Sequence, residues 1–141
     1  MFMPNQSTYL LDANAIRELS ANNIKDLIKK FNVITLKDVS FEVSGLTKSH
    51  MINSIELQAS AYEKITEILS DFEEVRILLD YHENKGSADV CILGFVLTAN
   101  DGRLIPDNYM VVTGDVNLQT ACGALGIPWM SRIAIQRLLS P

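Results

Sequence analysis

A three-layer α/β/α sandwich around a mainly parallel central sheet is the fold predicted for this chain of 141 residues, on three observations. Short apolar runs rich in β-branched residues alternate with longer runs whose apolar positions recur every three or four residues, the strand–helix alternation that builds parallel sheets. Two of the apolar runs, "YLLDANAIREL" and "YMVVTGDVNL", lead into an Asp with an Asn two residues on, before helical spacing resumes. The stretch "KGSADVCILGFVLTA" is apolar around most of a helical circumference, as expected of a helix lying deep between layers.

Tyr9 to Leu11 opens the first strand, and Ala15 to Phe31 carries Ile16, Leu19, Ile24, Leu27, Ile28 and Phe31 mostly at helical spacing, which predicts one helix. "NVITLKDV" supplies β-branched residues for a second strand; "SFEVSGL", starting on a Ser and ending at Gly45, follows as a short helix. From Met51 to Phe72, the residues Met51, Ile55, Tyr62, Ile65, Leu69 and Phe72 fall at steps of three, four or seven, predicting a long amphipathic helix with room for one break. "EVRILLDY" is the expected third strand. The buried helix comes next, its Gly94 lowering helix propensity while permitting close packing. "YMVVTGD" is the fourth strand, "NLQTACGAL" a helix with Gly126 just past its end, and "IPWMS" a short fifth strand before a terminal helix.

No linker, repeat or low-complexity tract interrupts this order, so residues 1–141 are expected to form a single domain, able to bury roughly two-thirds of the surface its unfolded form exposes. Hydrophobic content of 48% and charged content of 21% are those of a globular chain rather than a disordered one. The opening "MFMPNQST" lacks a basic start and meets Pro4 before an apolar region forms, and no apolar run reaches bilayer length, so no export signal and no membrane partner are expected. Cys91 and Cys122 are too few for a disulfide framework and read as buried free thiols of a cytoplasmic protein. His50 and His82 are isolated from any second ligand at metal spacing. The net charge of −5, from 12 Lys and Arg against 17 Asp and Glu, argues against broad adhesion to nucleic acid but leaves room for a local basic rim.

Four acids follow expected strand ends: Asp12 after the first, Glu42 in the helix after the second, Asp89 in the first turn of the buried helix, and Asp115 after the fourth. One such Asp is explained by helix capping. In an open parallel sheet, however, the loops beyond the carboxyl ends of the strands converge on one edge, where ligands bind. Two carboxylates about 5 Å apart repel by roughly 3 kcal/mol at an effective dielectric of about 20, a penalty that a divalent cation removes. Carboxylates, an amide and a hydroxyl are hard oxygen donors suited to Mg2+ or Mn2+ rather than zinc, and Asn14, Thr113 and Asn117 supply the neutral members. Such a cluster serves metal-assisted phosphodiester hydrolysis.

Over nearly the whole chain these residues resemble the PIN-domain nucleases, and within them the VapC-type toxins of toxin–antitoxin pairs. "LLDANAI" is similar to the family's opening motif, "VSFEVSGL" to its helix with a Glu shortly before Gly, "GSADVCILGFVLTANDGRL" to its buried helix led by Asp, and "MVVTGDVNL" to its Thr–x–Asp element. The resemblance implies a PIN-like sandwich in which Asp12, Glu42, Asp89 and Asp115 surround one or two Mg2+ or Mn2+ ions, supported by Asn14 and Thr113. It also implies a ribonuclease that cleaves RNA, commonly dimerises and is silenced by an antitoxin laid across the active-site groove. Asn117 stands where many members carry another acid. Asp38 lies close enough to replace Glu42 if its helix begins earlier.

Lys48, Lys85 and Arg132 are the candidate contacts to substrate phosphates. The alternative reading is a catalytically inactive PIN scaffold that binds protein or RNA. A phosphoacceptor receiver domain would want an acid pair after the first strand and a Lys near the fifth, and this sequence has neither. The stripe from Met51 to Phe72, if wider than the sheet can cover, is a surface for a dimer or an antitoxin.

Overall fold

The computed structural model describes residues 7–73, 75, 76, 86–100 and 108–139. Five strands form one all-parallel sheet in the order β3-β2-β1-β4-β5: β1 Thr8–Leu11, β2 Asn32–Leu36, β3 Asn53–Ile55, β4 Tyr109–Val112 and β5 Trp129–Met130. Helices α1 (Ala13–Glu18), α2 (Ala21–Lys30), α3 (Lys37–Glu42), α4 (Ala59–Asp71), α5 (Gly86–Asn100), α6 (Val116–Leu125) and α7 (Arg132–Leu139) flank it, with a 3-10 helix at Thr47–Met51. This is the α/β/α architecture expected of the sequence. Among the described residues, no helix is long and apolar enough to cross a membrane.

The order of the strands locates the site. From β1 the chain steps outward through β2 to β3, then returns past β1 to lay down β4 and β5. The direction of winding therefore reverses between β1 and β4, and the crevice beyond the carboxyl ends of those two strands is where ligands of such sheets bind. β1 and β4 are both central strands, and their inner positions Leu10, Leu11, Val111 and Val112 are fully buried. Their register pairs Leu11 with Val112, so the residues that follow, Asp12 and Thr113, emerge side by side.

Three elements differ from expectation. The predicted Ala15–Phe31 helix is two helices, because Leu19 adopts an extended conformation and the Ser20 hydroxyl accepts from the Asn23 N–H, restarting the helix with a fresh cap. The predicted helix from Met51 is instead the end of the 3-10 helix, strand β3 and then α4. Strand β3 is exposed over Asn53 and Ser54 and, among the described residues, pairs only with β2; an edge strand of three residues needs no apolar face of its own. The expected third strand, residues 74–81, lies mostly outside the described residues, and Val75 and Arg76 are helical. In addition, α3 begins at Lys37, earlier than the "SFEVSGL" reading.

α4 packs along the buried helix α5, and Gly94 is the reason the two approach closely. A Cβ placed there would stand 2.5 Å from Ile65 Cγ1 and 3.2 Å from the Ala61 carbonyl oxygen. Gly126 closes α6 in the left-handed region, φ 71°, as its position after the apolar run predicts.

Candidate functional site

Asp12 ends β1 and caps α1. Its N–H donates to the Val112 carbonyl (3.2 Å), fixing it to β4, and its Oδ1 accepts from the Ala15 N–H at 2.7 Å. Its Oδ2 accepts from the buried Thr113 hydroxyl. Thr113 Oγ1 in turn accepts from the Asp115 N–H at 3.0 Å, and its carbonyl accepts from Gln119 Nε2 at 2.9 Å. Asp115 then caps α6, its Oδ1 accepting from the N–H groups of Asn117 (2.8 Å) and Leu118 (3.4 Å). Asn14 crosses the crevice: its Oδ1 accepts from the Gly114 N–H at 3.2 Å, and a Cβ on Gly114 would fall 2.5 Å from that same oxygen. Any side chain at Gly114 would therefore push the Asn14 amide out of its place in the crevice.

All four predicted acids, Asp12, Glu42, Asp89 and Asp115, line one small pocket of about 50 Å3, together with Asn14 and Arg17. That volume holds an ion or a few waters, since one water needs only about 10–15 Å3 by the same measure. Burial, opposed by the hydrogen bonds from Thr113 and Ala15 and reinforced by the charges of Asp115 and Glu42, raises the Asp12 carboxyl from 3.8 to about 6. The buried Cys122 thiol is pushed up to about 12, by burial and then by the charges of Asp12 and Asp89. It is a packing residue and stays protonated.

The carboxylates share a pocket without meeting at a point. Among the described residues, no group of three or more His, Cys, Asp or Glu side chains is arranged to hold a metal ion. Both oxygens of Asp12 and one of Asp115 also accept from protein donors. The donor chemistry nevertheless fits a hard divalent cation, being carboxylate oxygen supplemented by an amide, around an acid whose charge the fold disfavours.

The structure separates Glu42 from Asp38. Glu42 lines the pocket, whereas Asp38 faces the half-buried Cys91 on α5, whose thiol burial and the Asp38 carboxylate raise to about 11. Asn117 contributes its N–H to the Asp115 cap and is not among the lining residues.

The basic candidates fare differently. Lys48 Nζ donates to the carbonyls of Arg17 and Leu19, each at 2.7 Å, closing the C-terminal end of α1 rather than facing the acids. Arg132 donates to Gln136 Oε1 at 3.4 Å along α7, away from the lining. Lys85 lies outside the described residues. Among the described residues the cation that lines the pocket is Arg17, which sequence reasoning missed. It follows Asp12 by five residues in the helix that Asp12 caps, and that spacing was the available signal. Arg17 forms no ion pair with a described residue despite the four acids around the same pocket.

No model of a known family matches the chain, and no curated protein matches its sequence.

Proposed function

We propose that the chain is a Mg2+- or Mn2+-dependent endoribonuclease of the PIN type, the toxin of a toxin–antitoxin pair acting in the cytoplasm. The observation that carries this reading is the convergence of Asp12, Glu42, Asp89 and Asp115 on one pocket at the point where the sheet reverses its winding. To hold the ion those four carboxylates would have to draw closer than they stand, and the ion would then supply a Lewis acid and a nucleophilic water at neutral pH. Thr113 fixes the orientation of the Asp12 carboxylate, and Asn14 holds the Gly114 backbone next to Asp115. Arg17 takes a phosphate oxygen of the RNA strand, its planar fork suited to that group and uncommitted to a described carboxylate.

A second reading has an observation of its own. The engagement of both Asp12 oxygens by Ala15 and Thr113 favours an inactive PIN scaffold that binds RNA or protein without cutting. Cleavage of labelled single-stranded RNA in Mn2+, Mg2+ or chelator, comparing the wild type with Asp12→Asn and Asp89→Asn, separates the two. Metal-dependent cleavage lost in both variants supports the nuclease. Cleavage in chelator, or undiminished in both variants, overturns it, and RNA binding without cleavage in any metal favours the scaffold.

The proposed homodimer or antitoxin contact is carried by α4, where Tyr62 is 54% exposed. Sedimentation across a concentration series with Tyr62→Asp tests it; a monomer in every sample removes the dimer.

A further inference from the structure

A second and larger cavity, about 270 Å3, lies on the other side of α3 from the acids. Its lining includes Ser40 and Phe41 of α3, Ser44 just beyond, His50 of the 3-10 helix, and Ile52 and Ser54 at strand β3. Residues two apart on a helix point to nearly opposite sides. Ser40 and Glu42 are such a pair, so α3 is the wall between this cavity and the acidic pocket.

We infer that this cavity is a nucleobase subsite, which takes one unpaired base of the RNA strand whose phosphate reaches the acids, with Phe41 as its stacking platform. The inference rests on the nuclease reading for the identity of the strand. Three features of the cavity select a base. Phe41 is 66% exposed at its rim, more than any other Phe, Tyr or Trp among the described residues; unstacked bases are held on such rings. Its polar groups are neutral hydroxyls and an imidazole, which both donate and accept as the edge of a base demands.

The hydroxyls divide by role. Ser40 and Ser49 donate to the carbonyls of Lys37 (2.8 Å) and Leu46 (2.7 Å), which leaves their oxygens as acceptors toward the cavity. Those of Ser44 and Ser54 make no hydrogen bond with a described residue and keep both capacities. Among the described residues no Lys or Arg lines the cavity, so they give it no fixed positive charge of the kind a phosphate would require. The volume falls just below the roughly 300–1,000 Å3 of sites for drug-sized ligands, which suits one planar ring system.

The test uses a labelled single-stranded oligoribonucleotide and a set of copies, each lacking one base, with binding followed by fluorescence anisotropy in chelator so that no strand is cut. Phe41→Ala is expected to weaken binding about tenfold, within the span typical of losing one base–aromatic stack, and Phe41→Trp to restore it. Removal of the base at a single position should weaken wild-type binding comparably and add nothing to Phe41→Ala. The subsite is overturned if wild-type binding is undetectable, if Phe41→Ala binds as the wild type does, or if its loss is the same whichever base is missing. The nuclease reading fails separately. Phe41-dependent binding accompanied by cleavage insensitive to Asp12→Asn leaves the subsite standing and removes the nuclease; Asp12-dependent cleavage with Phe41→Ala unchanged in binding does the reverse.

Discussion

Replacing Asp12 by Asn should stabilise the protein when divalent cations are absent. Asp12 is 2% exposed, and its carboxyl titrates near 6 in the folded chain against 3.8 when unperturbed. Between those values the folded chain retains a proton that the unfolded chain has released. Wild-type stability therefore falls as pH rises through that window, and the loss is complete above it. A rise of about two in pKa corresponds to about 3 kcal/mol. Asn keeps an acceptor for the Ala15 N–H but presents its amide N–H2 to the Thr113 hydroxyl, which must then accept; that reversal costs about 1 kcal/mol. The variant should be more stable than the wild type by about 2 kcal/mol at pH 7.5 in chelator, which for a domain of this size is about 6 °C in Tm. The assay is urea and thermal unfolding of both proteins from pH 4 to 8, with chelator or with Mg2+. The advantage of Asp12→Asn should vanish near pH 4 and shrink in Mg2+, because a bound cation favours the ionised acid of the wild type alone. An advantage independent of pH, or a variant less stable at pH 7.5 in chelator, refutes the claim that the fold penalises this charge.

Thr113→Val removes the donor to Asp12 Oδ2 and leaves the Asp115 N–H without its hydroxyl acceptor; unfolding in urea should show a loss of about 2–3 kcal/mol. Gly94→Ala puts a methyl group against Ile65 and the Ala61 carbonyl, and the resulting separation of α4 from α5 should cost about 1–3 kcal/mol in the same assay. Gly114→Ala displaces the Asn14 amide from the crevice; RNA cleavage should fall about tenfold or more, by the sensitivity of catalysis to misplacement of about 1 Å, with Tm nearly unchanged. Lys48→Met removes the closure of α1 and should lower stability by about 1 kcal/mol; an unchanged KM for RNA separates this role from contact with phosphate.

What the sequence made legible depended on how far each signal reached. Asp12 and Asp115 each end an apolar run at a helix start, a pattern within a few residues, and parallel topology carries both to one edge whatever the strand order. Their adjacency through Thr113 required the Leu11–Val112 register, which no local pattern states. The Met51–Phe72 stripe misled because it joined two elements. Met51 and Ile55 belong to the 3-10 helix and β3, while in α4 the buried positions are Ala61 and Ile68, with Tyr62 outward. Helical spacing across a boundary is coincidence, and the boundary was hidden because an edge strand pairs on one side only and carries no apolar signature.

Charge was less legible still, since a cation's role is decided by the group it reaches. Nothing in the sequence separates Arg17, which was not singled out, from Lys48, which was. The backbone turn at Leu19 offers two carbonyls to Lys48, and one of them belongs to Arg17, whose side chain lines the pocket. One cation thus holds the end of the helix that presents the other, so loss of Lys48 would loosen α1 without removing any charge from the lining of the pocket.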